Sequence, residues 1–221
     1  MDMGVLAARM GEADTLVVRR LGRLPYDQAW AVQEEARAAV IAGAPEQLLV
    51  VEHPPIITLG RRGDARHVLA PRAPVVRVNR GGDVTYHGPG QLVGYPIIDL
   101  ARRGRDVDRY LRGLEAVLIA AAARFGVSAC RRPGWTGVFV GGDKLAAIGV
   151  GIRRWVTMHG FALNVADLRV EFAAIVPCGL AGVGVTSLEQ ATGRRPALAD
   201  VETVVVEEFG RAFAPAIRGA A

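Results

Sequence analysis

Apolar positions along the chain switch between the two-residue period of a strand and the 3.6-residue period of a helix. Thr15 to Leu21 reads as a first strand. Tyr26 to Ala42 reads as a helix, entered at Pro25 and ended at Gly43, with Tyr26, Ala29, Trp30, Gln33 and Val40 at helical spacing. Gln47 to Glu52 returns to a strand, His53-Pro54-Pro55 forces an extended or turned path, Ile56 to Leu59 resumes the strand, and Arg61 to His67 is an exposed polar loop. Val75 to Asn79 is a further strand. The strongest helix runs from Val107 to Phe125, where Val107, Tyr110, Leu111, Leu114, Val117, Leu118, Ala121 and Phe125 keep one face, Asp106 caps and Gly126 stops it. Val138 to Val140, Gly141-Gly142 and Leu145 to Ile152 read as a β-hairpin, Val156 to Asn164 as another strand, and Val201 to Phe213 as a closing amphipathic helix. Hairpin-connected strands beside helices predict an α/β (α+β) chain with a mixed sheet, not a pure βαβ stack.

Hydrophobic residues make up 51% and charged residues 22% of the 221, enough to bury a sizeable core and to exclude wholesale disorder. No repeat or long Pro/Gly/Ser linker divides the chain, so one domain over residues 1–221 is expected. No apolar run reaches the roughly 18 residues of a membrane span. Met1 to Asp14 carries Arg9, Glu12 and Asp14 without a continuous apolar stretch, so a cytoplasmic protein with two free thiols, Cys130 and Cys178, is expected. The net charge of +5 comes almost wholly from arginine: Lys144 is the single lysine among 27 basic residues. The arginines fall in separated pairs without interleaved aromatics, a weak nucleic-acid footprint and an acceptable surface for an acidic protein partner.

Four segments can carry chemistry. Arg80-Gly-Gly-Asp-Val-Thr-Tyr-His-Gly-Pro-Gly-Gln91 follows a predicted strand, and its glycines allow close backbone approach to a small ligand, with His87 for polar contact; a structural turn is the plainer reading. It lacks the GK[ST] of a phosphate loop. Gly141-Gly-Asp-Lys-Leu-Ala-Ala-Ile-Gly149 places Lys144 just past a hairpin turn, where an exposed lysine would be unremarkable had the chain not used arginine everywhere else. Gly149 and Gly151 on that strand suggest a group close to the backbone. His159-Gly-Phe-Ala-Leu-Asn164 reads either as a strand lining a pocket for an acyl chain or as a strand opening on a satisfied core histidine. In Ile175-Val-Pro-Cys-Gly179 the sulfur of Cys178 is either a small buried hydrophobe or a thiol with room beside it to meet a thioester, while Cys130 is assigned only packing. His53, His67, His87 and His159 share no metal-ligand spacing, and no metal is expected.

Taken in order, RGGDVTYHGPGQ, GGDKLAAIG, HGFALN and PCG, with EHPPIITLGRR at Glu52 to Arg62 and TSL at Thr186 to Leu188, resemble the motifs of the lipoyl(octanoyl) transferases. The resemblance spans nearly the whole chain. It implies the fold shared with biotin and lipoate protein ligases, a single α/β domain on a mixed, largely antiparallel sheet with surrounding helices. It further implies transfer of an octanoyl group from octanoyl-acyl carrier protein to a lysine of lipoyl domains, in 2-oxoacid dehydrogenase complexes and in the glycine cleavage H protein, with no cofactor. By the same resemblance Cys178 would carry the acyl group as a thioester and Lys144 would keep its sulfur reactive. Arg80, Gly81, Gly82, Asp83, Val84, Thr85, Tyr86 and His87 would bind substrate together with Ala147, Ile148, Gly149, Gly160, Phe161 and Ala162. Two rivals stand beside it: an ATP-dependent ligase, which needs no cysteine nucleophile, and an arginine-rich nucleic-acid module, which would leave Cys178 and Lys144 without a role.

Overall fold

A computed structural model describes residues 16–176 and 183–213. Its strands are β1 Leu16–Arg23, β2 Glu46–Glu52, β3 Ile56–Leu59, β4 Val75–Arg77, β5 Val84–His87, β6 Gln91–Ile97, β7 Val138–Val140, β8 Asp143–Arg153 and β9 Val156–Asn164. Its α-helices are α1 Tyr26–Ile41, α2 Val107–Arg124, α3 Arg169–Phe172, α4 Leu188–Thr192 and α5 Leu198–Phe213. Asp106 caps α2 through its carboxylate, which accepts from the Arg109 amide, and Gly141 and Gly142 both take the left-handed backbone that turns β7 into β8.

The strands form two sheets where the sequence suggested one. Six of them order as β1-β2-β6-β9-β8-β7, with β1 parallel to β2 and every other neighbour antiparallel; the remaining three order as β4-β3-β5. The larger sheet is covered on both faces, so β2 is apolar at every central position. Leu48 and Val50 face α2 and α5 in the main core, whereas Leu49 and Val51 face α1 with Val93, Tyr95 and Ile97. The smaller sheet packs Ile57, Leu59, Val84 and Tyr86 against Phe172 of α3 and Ile175.

The chain passes from the small sheet to the large one through Gly88-Pro89-Gly90, between β5 and β6. Glycine is required at both ends of that corner. A Cβ on Gly88 would stand 2.1 Å from the Tyr86 hydroxyl, and one on Gly90, whose φ is +86°, would stand 2.4 Å from the Ala166 methyl. This corner brings the end of β5 beside β6 and β9, and the site forms there.

Candidate active site

A cleft opens between the sheets. Its floor is made by β8 and β9, where the antiparallel register pairs Ala147 with Ala162, Ile148 with Phe161 and Gly149 with Gly160. The alanines and glycines among them leave space that larger residues would fill. The Arg80–Thr85 segment forms one wall, and His87, Val93, Tyr95, Tyr26 and His159 close the rest. The lining is mixed apolar and polar, as small-ligand sites are.

The glycine segment is fastened from three sides. The Gly81 amide donates to Val150 of β8 (2.8 Å), the Arg61 amide to the Arg80 carbonyl (2.9 Å), and the Gly60 amide to the Asp83 carbonyl (2.9 Å). The Arg80 side chain is buried and turns back on its own loop, donating to the Thr58 carbonyl (2.7 Å), the Thr58 hydroxyl (2.9 Å) and the Gly81 carbonyl (2.9 Å). Asp83 accepts from His67 Nδ1 (2.5 Å) and from the Asp64 amide (3.0 Å). Arg80 and Asp83 therefore hold the loop's shape as well as lining the cleft.

Of the fourteen residues expected to bind substrate, thirteen line this cleft, and Tyr86 does not. Strand alternation explains the exception: Thr85 and His87 face the cleft, while Tyr86 points to the opposite side, 5.8 Å from the Phe172 ring. Lys144 is nearly buried at the start of β8, with its ammonium 5.4 Å from the Phe139 ring centroid, and it is not among the lining residues. Its amide donates to Gly184 (2.9 Å) and its carbonyl accepts from Thr186 (3.0 Å). Cys178, with Pro177 and Gly179, lies outside the described residues. Its described flanks are fixed at separate points, since the Val176 amide donates to His67 (2.8 Å) beyond the glycine segment and residues 184–186 run against Lys144. Cys130 pairs through its backbone with Phe139 and is exposed.

Tyr26, Val93, Tyr95 and His159 also line the cleft. Periodicity marks Tyr26 only as a buried helix position, and nothing in a linear pattern brings Tyr95 to it. His159 carries a backbone signal visible only in three dimensions: φ is +57° within a strand, a strained value for a residue with a side chain. Its amide donates to Gln33 of α1 (2.9 Å), and its Nε2 meets the Asn79 carboxamide oxygen at 2.5 Å.

The cleft keeps its histidines neutral. Burial, then the neighbouring His53, pushes His87 down to about 3, and burial, then the Arg80 cation, pushes His159 down to about 3 as well. Burial lowers His53 too, whose Nδ1 meets the Leu24 carbonyl and whose Nε2 meets the Tyr95 hydroxyl, both at 2.7 Å. Tyr26 rises to about 12 through burial, against the pull of Arg80. Such a site supplies fixed dipoles and one buried cation, suited to holding an uncharged polar group beside an apolar one. Among the described residues no group of three or more His, Cys, Asp or Glu side chains is placed to hold a metal ion.

Residues 25–210 match the model of the lipoyl protein ligase A/B catalytic domain. An octanoyltransferase of Geobacter metallireducens is 56% identical over 195 residues, covering 88% of this chain and 92% of that protein. The chain belongs to the octanoyltransferase family. It is an acyltransferase, and the stretch matched by the family model contains the glycine segment, β8 and β9. Solved structures share the fold at much lower identity. Lipoate-protein ligase A bound with ATP superposes with a TM-score of 0.68 at 14% identity, covering 89% of this chain and 84% of that one. The biotin protein ligase of Aquifex aeolicus reaches 0.51 at 12% identity, covering 89% and 68%. The mixed α/β fold expected from the motifs is therefore the observed one. Among the described residues no helix is long and apolar enough to cross a membrane.

Proposed function

We propose that this octanoyltransferase-family chain moves an octanoyl group from octanoyl-acyl carrier protein to the ε-amine of a lysine on a lipoyl domain, through a thioester on Cys178. The carrying observation is the cleft itself: Ala147, Ile148, Phe161 and Ala162 offer an apolar floor, while Gly81, Gly82 and Gly149 bring backbone close to it. An eight-carbon chain suits the former and a thioester carbonyl the latter. In the first step the Cys178 thiolate adds to the carbonyl carbon, the carbon–sulfur bond to the carrier breaks, and the carrier thiol leaves with a proton. In the second, the lysine amine adds to the new thioester, an amide forms, and the amine's proton is balanced by the released Cys178 thiol. Lys144 acts on Cys178, as a cation that favours the thiolate and as an exchangeable proton donor.

The reading extends to a cytoplasmic, single-domain enzyme whose acceptors are the lipoyl domains of 2-oxoacid dehydrogenase complexes and the glycine cleavage H protein, without a cofactor. The identity to octanoyltransferases, 56% against 14% to the ATP-bound ligase, favours transfer over adenylate chemistry. Intact mass after incubation with octanoyl-carrier protein and no nucleotide tests it. One added octanoyl group, discharged by a lipoyl domain, is expected; an adduct or product that requires ATP overturns the reading.

A further inference from the structure

Three residues of the sequence motifs, Gln91, Asn164 and Thr186, take no part in the cleft lining, yet they meet in one buried line of hydrogen bonds. Sheet register brings the first two together, for Gln91 opens β6 directly opposite Asn164 at the end of β9. The Gly88-Pro89-Gly90 corner places His87 four residues before Gln91 and beside it, with His87 Nδ1 2.7 Å from Gln91 Oε1. Gln91 Nε2 is 2.9 Å from Asn164 Oδ1, and Asn164 Nδ2 is 3.0 Å from the Thr186 carbonyl. The Thr186 amide in turn donates to the Lys144 carbonyl (3.0 Å), so the line runs from the cleft to the strand of Lys144.

A carboxamide flipped end for end fits its own volume equally well, so the direction of such a line must be settled by its fixed ends. Backbone carbonyls only accept. Thr186 therefore forces Asn164 to present Nδ2 to it and Oδ1 to Gln91. A second carbonyl, that of Tyr86, lies 3.3 Å from Gln91 Nε2 and independently demands the same orientation of Gln91. Gln91 then meets His87 with an oxygen, and Nδ1 must carry the proton. Nε2 is left with a lone pair and has no hydrogen-bond partner among the described residues, on a ring that lines the cleft.

We propose that Gln91 and Asn164 are positioning residues that lock His87 as its Nδ1–H tautomer and so fix Nε2 as a hydrogen-bond acceptor facing the cleft. The tautomer assignment stands on the hydrogen-bond line alone; what the acceptor receives rests on the acyl-transfer reading, where it orients an N–H of the attacking lysine amine. No proton changes owner at His87 in this scheme. A neutral ring is needed, because an imidazolium would present a donor to that amine and repel its charged form. The groups facing the ring are compatible with neutrality: Tyr26 of α1 stacks on it at 6.3 Å, His53 lies at 6.0 Å, and the Arg80 cation disfavours its protonation, as His159 would if it were charged.

The full chain labelled with 15N-histidine tests the assignment by two-bond nitrogen–proton correlations, with His87→Gln identifying the signal. A neutral Nδ1–H ring between about pH 5 and pH 8 is expected. An Nε2–H ring, or a charged one near pH 6, overturns the proposal. Gln91→Glu keeps an acceptor on Nδ1 and adds a negative charge, so transfer should acquire an acid limb absent from the wild type; an unchanged pH profile in a folded variant also overturns it. Gln91→Leu should mix the tautomers and lower transfer about tenfold, the scale on which orienting partners act. Should these variants fail to fold, the wild-type spectrum decides. An inactive wild type with an Nδ1–H ring would retire the acyl-transfer reading and keep the tautomer, and an active wild type with an Nε2–H ring would do the reverse.

Discussion

Replacing Gly60 by alanine perturbs the cleft from behind, because Gly60 is not a lining residue but lies under the glycine segment. Its new Cβ would stand 2.4 Å from the Gly82 carbonyl oxygen, 2.8 Å from the Arg80 guanidinium and 3.0 Å from the Gly81 carbonyl oxygen. The nearest is backbone, which cannot rotate out of the way. Ordinary contact begins at 3.4 Å, so the segment must move outward, by about 1 Å. Overpacking of that kind costs about 1–3 kcal/mol, and alanine returns about 0.5–1 by losing less chain entropy than glycine. The net loss is a minor part of a typical 5–15 kcal/mol, roughly, so the protein should still fold. Catalysis is less forgiving: a misplacement of about 1 Å can lower a rate about a hundredfold. Thermal unfolding and the rate of octanoyl adduct formation, measured on the same preparation, give both halves. A folded variant with a lowered midpoint and an unchanged adduct rate would refute the claim that this segment's position sets the chemistry.

Cys178→Ala should abolish both the adduct and transfer while Cys130→Ala keeps both; the reverse result moves the nucleophile. Lys144→Arg keeps a cation but must fit a planar guanidinium into the place beside Phe139 and over Gly137, and it cannot give up a proton, so a loss of at least about a hundredfold is expected in the transfer assay. His87 and His159 are depressed from 6.5 to about 3, so the unfolded chain takes up protons there before the folded one does; stability is fully present above pH 6.5 and falls as pH is lowered through that window. Denaturant midpoints should therefore drop from about pH 7.5 to about pH 5, with a shallower slope in His87→Gln, and equal midpoints would contradict it. Gly60 to Asp83 carries six arginines against two aspartates, most of the chain's net +5, so Arg61→Glu with Arg62→Glu should raise the KM for an acidic carrier and weaken its salt dependence without lowering the kcat.

Legibility followed physical range. Elements written by local periodicity, α1, α2, β2 and the β7–β8 hairpin, stand within a residue or two of the positions that their spacing predicts. β6 escaped that logic because QLVGYPI holds Gly94 and Pro96, both poor strand residues, although it is a central strand. Tertiary contacts repay each. A Cβ on Gly94 would lie 2.1 Å from the Phe161 ring, and the Thr157 hydroxyl, donating to the Pro96 carbonyl (2.7 Å) and accepting from the Ile98 amide (2.9 Å), mends the ladder that proline interrupts. The glycine segment reads as loop from its composition, yet Val84–His87 inside it is a strand, and that strand is what sends Tyr86 away from the cleft. Motif residues were readable because their types are chemically unusual where they stand, as with one lysine among arginines. Tyr26 and Tyr95 were not, since only the fold brings helix α1 over β6.

Two sheets that share a corner explain why the cleft needs so little of its own. The floor comes from the large sheet, where strand pairing already fixes Gly149 opposite Gly160, and the wall comes from the small one, held by Arg80 on Thr58. What remains is to keep the two in register, and three connections do so: the Gly81 bond to Val150, the Gly88–Gly90 corner, and the line from His87 through Gln91 and Asn164 to Thr186. The third differs from the others in being made of side chains, with a direction that backbone carbonyls impose. Each half also anchors one flank of residues 177–182, Val176 on His67 and Gly184 on Lys144. A shift of one sheet against the other would therefore change the cleft's width, the ring nitrogen offered to it and the spacing of those flanks together, so the residues that tie the sheets belong to the site's chemistry as much as those that line it.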